Sequence, residues 1–201
     1  MEAGLLAELI AMRQRDQDVR DRLVRERRLH GGYAGEMQRV HIENAHRLDE
    51  LATLHGWPSL AMVGLEGTRA AWMIAQHAIC TPDLQRKFLA LMTRAAAAGD
   101  VPKRQAALLT DRVLACEGRP QIYGTVLDWD ANGTLSCEVE DPANLDARRR
   151  EVGLPTTADD DLAAHQRAVE AEGGHPPADP EETKRNRSEW ARRVGWIVDP
   201  V

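Results

Sequence analysis

Along most of this chain apolar residues return every three or four positions, and after Gly118 that rhythm gives way to strict alternation. A 3.6-residue period stacks apolar side chains on one face of a helix, whereas a period of two sorts them across a strand. The chain is therefore expected to be mainly α (α+β). Five to six helices would pack around one core, with a late β-hairpin at about 121–139 and a C-terminal extension.

The first helix, about 2–28, carries Leu5, Leu9, Met12, Val19 and Leu23 on one stripe. Asp16 is the one polar break in it. The second, about 34–55, presents Met37, Val40, Asn44, Leu48 and Leu51, and ends at Gly56 and Pro58 with Trp57 as a corner plug. A third, about 66–80, puts His77 on the same face as Ala70, Met73 and Ile74. Thr81-Pro82-Asp83 opens a fourth, with Leu84, Phe88, Leu91 and Met92 buried. The fifth, about 102–117, is apolar on two sides yet contains Asp111 and Arg112. Burying two such charges costs several kcal/mol each unless they are paired or hydrogen-bonded.

Past Gly118 and Pro120, Gln121, Tyr123, Thr125, Leu127 and Trp129 alternate with Ile122, Gly124, Val126 and Asp128. Asp130 to Gly133 makes a turn, and Leu135, Cys137 and Val139 continue as a second strand. Gly124 inside a strand signals a bulge or a close approach. Asp141-Pro142 opens a short helix of about 142–152 that holds Arg148-Arg149-Arg150, read as a salt-bridged face. The division expected is a helical domain over 1–155 and an acidic, partly flexible extension over 156–201. In the extension a weak helix at 161–172, a linker rich in Gly and Pro, and a last segment at 181–195 precede Trp196, which with Trp190 is expected to dock.

The formal charge of −6 is spread among interleaved acids and arginines. Nucleic-acid binding, which needs a basic stripe, is not expected. Cys80, Cys116 and Cys137 are three, widely spaced and outside any CxxC pattern, so free thiols in a reducing cytoplasm are expected. The opening residues lack a basic region and are broken by Glu8, and no run approaches a membrane span. Walker, Rossmann, zinc and Gly-x-Ser-x-Gly motifs are absent, so no cofactor is expected. Nor is a metal: His41 and His46, the pair nearest Glu43 and Glu50, sit five apart and do not share a helical face.

An ordered series of markers resembles one bacterial family. They are His55-Gly56-Trp57-Pro58, Ala71-Trp72, Gln76-His77-Ala78, Pro82 and Gln85. Further along come Leu109 to Val113, Gly118, Gln121, Tyr123-Gly124-Thr125, Glu140-Asp141-Pro142, Arg148-Arg149 and Gly153-Leu154. The likeness spans about residues 5–155. That family is known as a domain of unknown function, so the resemblance implies no established activity. Two positions depart from its pattern: Val126 stands where glutamine usually follows Tyr-Gly-Thr, and His41 stands at an acidic position.

Two functional classes follow. In the first the chain is an enzyme acting on a small polar molecule in a specialised metabolic pathway. His77 would move the proton, Asp111 would orient it, and Arg112 with Tyr123 would stabilise negative charge. Gln121, Thr125 and Gln85 would bind the substrate. In the second, the same residues form a buried network, and the domain is a non-catalytic accessory protein that binds a protein partner through its helices. Self-association is open in both.

Overall fold

The computed structural model describes residues 2–29, 33–130, 132–157 and 162–197. Eight α-helices lie among them: α1 Ala3–Arg25, α2 Gly35–His55, α3 Leu60–His77, α4 Pro82–Ala97, α5 Lys103–Cys116, α6 Leu145–Glu151, α7 Leu162–Ala171 and α8 Pro180–Val194. The protein is mainly helical as expected, but with eight helices rather than five to six. The two helices beyond that count, α7 and α8, are both in the extension. Asp179 caps α8 by accepting from the Glu182 amide at 2.9 Å, Pro180 fills the first turn, and Gly195 closes it. Those local signals suffice to start and stop a helix without a large apolar face. The expected terminator His30-Gly31-Gly32 lies outside the described residues.

The chain divides into two units, Met1–Leu109 and Thr110–Val201, with the boundary inside α5. In the first, α1 packs on α3 and α2, and α2 and α3 both touch α4. Leu9, Leu48, Ile74, Phe88, Met92 and Leu109 are fully buried or nearly so. Each such side chain contributes about 1.5–3 kcal/mol by leaving water. Trp57 joins this core, its ring 5.9 Å from that of Phe88. Helix α3 begins earlier than the periodicity predicts, with Ser59 as its cap. It is broken at Gly64, whose φ of 64° and ψ of −174° fit no helix. The uninterrupted periodicity starts after that break, which is why the sequence pattern begins near residue 66.

In the second unit the hairpin is far shorter than predicted. Strands β1 Asp128–Trp129 and β2 Leu135–Ser136 pair antiparallel, Asp128 opposite Ser136 and Trp129 opposite Leu135. Asp130 turns the chain by accepting from the Asn132 and Thr134 amides through Oδ1. Upstream, Gln121 makes one isolated bridge with Val139. Residues 122–126 form no strand because side chains, and not a neighbouring strand, take their amides. Asp111 accepts from the Ile122, Tyr123 and Thr125 amides, and Gln121 Oε1 accepts from those of Thr125 and Val126. Trp196 is buried in the extension.

Candidate functional site

Two buried carboxylates dominate the polar interior, one in each unit. In the first unit, the α1 stripe of Leu5, Leu9, Met12 and Leu23 places Asp16 where the next apolar residue would fall, and Asp16 is 0 % exposed. Helix α2 contributes His41 from the face that buries Met37, Val40, Asn44 and Leu48. Asn44 ties this face to α1 by donating to the Met12 carbonyl at 3.2 Å. His77 is the last residue of α3, where the helix end lets its ring turn partly outward.

These three side chains meet. His77 Nδ1 donates to Asp16 Oδ2 at 2.8 Å, a direction required because an ionised carboxylate only accepts. His41 Nε2 lies 3.2 Å from the same oxygen. The two imidazole rings are 4.7 Å apart, centre to centre. On its far side, His41 Nδ1 hydrogen-bonds the hydroxyl of Tyr33, which stands just ahead of α2. Burial by itself would raise the Asp16 carboxyl's pKa, but His41 and His77 beside it outweigh that and hold the group well below its ordinary range. Burial pushes the His41 imidazole below 6.5 despite Asp16, so the neutral ring is favoured there. Burial, with Cys80 and Asp16 adding to it, drives the Tyr33 hydroxyl above its ordinary value.

The cluster opens on a cavity of about 170 Å³, lined by Arg20, Leu29, Tyr33, Met37, His41 and His77. Its walls are largely apolar with a few polar groups, and its volume is below the roughly 300–1,000 Å³ of drug-sized pockets, room for an ion or a molecule of a few heavy atoms. The His77 side chain is 32 % exposed, against 1 % for Asp16 and 8 % for His41, so His77 is the member of the three most open to solvent. Asp16 Oδ1 is buried with no hydrogen-bond partner among the described residues, and His41 Nε2, although 3.2 Å from Asp16 Oδ2, is not aligned to hydrogen-bond it. One atom from each of Asp16, His41 and His77 could ligate a metal ion, and these atoms all lie within 4.8 Å of one another.

The other residues singled out in the sequence group differently. Asp111, also 0 % exposed, takes the Ile122 and Tyr123 amides on Oδ1 at 2.9 and 3.0 Å. Its Oδ2 accepts the Thr125 amide and hydroxyl at 3.0 and 2.9 Å. Gln121 completes the loop by donating from Nε2 to the Val126 carbonyl at 2.7 Å. Arg148 donates to the carbonyls of Ile122, Glu140 and Asp141, and Arg149 to those of Tyr123 and Pro155. Of the triple Arg, therefore, two members clamp backbone. Gly124 has a φ of 64°, and a Cβ there would meet Val139 Cγ2 at 3.2 Å. Position 126 is held through its backbone, so the departure at Val126 leaves these hydrogen bonds unchanged.

Asp111, Gln121, Tyr123 and Thr125 thus come together in one loop, while His77 joins Asp16 and His41. Burial raises the Tyr123 hydroxyl's pKa, and Asp111 adds to the rise. Arg112 has its Nε buried without a hydrogen-bond partner among the described residues, and burial lowers its pKa. Gln85 donates to the carbonyls of Ala75 and Gln76 at 2.6 and 3.0 Å, fastening α4 to the last turns of α3 just before His77. Sequence reasoning missed Asp16, His41 and Tyr33 as site residues. The break in the α1 stripe was a visible signal for Asp16, and His41 was one of the two departures from the family pattern. Tyr33 carries no comparable mark.

Residues 3–171 match the model of one protein family, described as "Family of unknown function (DUF6624)". A comparison with curated proteins gave no match, and neither did one with solved structures.

Proposed function

This chain belongs to the DUF6624 family, and we propose that it is an enzyme that moves a proton on a small polar molecule held against Asp16, His41 and His77. The observation that carries this reading is a fully buried carboxylate shared by two imidazoles at the wall of a cavity. A carboxylate that fixes one imidazole nitrogen sets its tautomer and supports the imidazolium formed when the other nitrogen takes a proton. Asp16 is the fixed partner, since its charge is held by both rings. His77 is the proton carrier, since it combines the 2.8 Å hydrogen bond with exposure. Neutral His41, oriented by Tyr33, forms the inner wall.

The reading keeps His77 from the sequence analysis as the acid/base group and gives its orienting role to Asp16. Asp111 instead organises the loop of the second unit. Thermal-shift screening of wild type and His77→Ala against small polar metabolites tests the proposal. A compound that stabilises wild type and not the variant is expected. Compounds that stabilise both equally, or none at all across acids, amines and sugars, would sink it and favour the accessory-protein reading.

A further inference from the structure

We infer that Asp16, His41 and His77 bind one divalent first-row transition-metal ion, with Zn²⁺ the best-suited occupant. The inference deepens the proposed function and rests on the same cavity being the functional site. Three observations carry it independently of any pKa.

The first is the donor set. Two imidazoles and one carboxylate suit Zn²⁺, Fe²⁺ and their neighbours, whereas Ca²⁺ and Mg²⁺ take oxygen ligands. Three protein ligands with a remaining position open to a cavity match a catalytic site more than a closed structural one.

The second is spacing. Ligands bonded at about 2.0–2.2 Å lie roughly 2.9–3.5 Å from one another around a tetrahedral or octahedral ion. Asp16 Oδ2 lies 2.8 Å from His77 Nδ1 and 3.2 Å from His41 Nε2. The three ligand atoms all lie within 4.8 Å of one another, so the two imidazoles would draw together around an ion while each keeps its place beside Asp16.

The third is what the ion would satisfy. The hydrogen bonds present leave Asp16 Oδ1 and His41 Nε2 buried without partners, which is costly to the fold. A cation held by His41 Nε2 and by both oxygens of the Asp16 carboxylate gives each of these atoms a partner. It also explains Tyr33: a ligating imidazole commonly donates its other N–H to an outer partner, and His41 Nδ1 meets the Tyr33 hydroxyl. Binding would release to solvent the proton that His77 Nδ1 shares with Asp16, and a bound Zn²⁺ would supply a water of lowered pKa as the proton-moving group in place of His77.

The test uses the full chain without a histidine tag, stripped with chelator and titrated with Co²⁺, whose visible absorption reports ligand number and geometry. One equivalent should bind, be displaced by Zn²⁺, and raise the melting temperature. His41→Ala and His77→Ala should each weaken binding by on the order of a hundredfold or more, while His46→Ala, an exposed residue of α2, leaves it unchanged. Tyr33→Phe should weaken it by about tenfold and alter the Co²⁺ spectrum, as expected of a positioning residue. If His41→Ala fails to fold, the half-exposed His77→Gln carries the comparison alone. No saturable binding to wild type, or equal binding by the His77 variants, overturns the inference. His77-dependent stabilisation by a small molecule without metal binding would also overturn it, and would leave the proton-transfer reading standing.

Discussion

Asp16 and Asp111 are equally buried carboxylates on helices with apolar neighbours, yet they are treated in opposite ways. Asp111 is saturated: four donors from one short loop fill both oxygens at 2.9–3.0 Å. Asp16 is not: one oxygen accepts from His77 with His41 Nε2 3.2 Å away, and the other has no hydrogen-bond partner among the described residues. A buried charge whose every lone pair is used is a structural fixture, since any ligand would have to displace bonds already made. A buried charge left partly unsatisfied beside a cavity has capacity to spare. Burial alone therefore does not distinguish these two carboxylates; hydrogen-bond satisfaction does.

The sharpest way to break this contrast is to remove Asp111. Asp111→Ala leaves three amides and a hydroxyl without their acceptor, and a stability loss of about 3–5 kcal/mol is expected in urea unfolding. A loss under about 1 kcal/mol would show that water replaces the carboxylate and that the loop is not built on it. Asp16→Asn, measured the same way, should cost less, about 1–2 kcal/mol, because the amide keeps one acceptor and sheds an incompletely satisfied charge. It should nonetheless abolish the cavity's response to ligands. If Asp16→Asn proves the more destabilising of the two, the comparison is reversed.

Gly124→Ala probes the same loop more gently. A left-handed backbone and a Cβ at 3.2 Å from Val139 should together cost about 1–2 kcal/mol, read as a lowered urea midpoint at unchanged slope. The smallest effect is expected from a half-buried carboxylate, Asp146, which accepts from the Thr157 amide at 2.7 Å and hydroxyl at 2.9 Å. Those bonds hold its pKa below 3.8. The folded value being depressed, the bonds' contribution is present above the unfolded value and is lost as pH falls through the folded one. An NMR titration of the Asp146 carboxyl and Thr157 amide should give a shared midpoint under 3.8. A midpoint at or above 3.8 would mean that the contact is absent in solution.

The same residues separate what local signals encode from what they do not. The α1 stripe, the helix ends at Gly56 and Gly118, and the Thr81-Pro82 start of α4 are local signals, and each reappears in the structure within a few residues. The alternation from Gln121 to Trp129 was equally regular and yet misleading. Its polar members alternate because Gln121 and Thr125 join a hydrogen-bonded loop that shares the Asp111 carboxylate, not because they line a sheet face. The ligand-type cluster was invisible to spacing, because Asp16, His41 and His77 come from three different helices. A search for paired ligands along one helix finds His41 and His46, which do not meet.

The sequence by itself determined the helical class, the position of most helices and the fact that Asp16, His77, Asp111 and Arg112 are polar intrusions into apolar faces. These follow from periodicity and from capping chemistry, which act over a few residues. Only the tertiary structure decided which intrusions are matched. Whether a buried carboxylate meets four donors from one loop or two imidazoles from other helices depends on residues 61 positions away for His77 and 14 for Thr125, and no local pattern encodes that pairing.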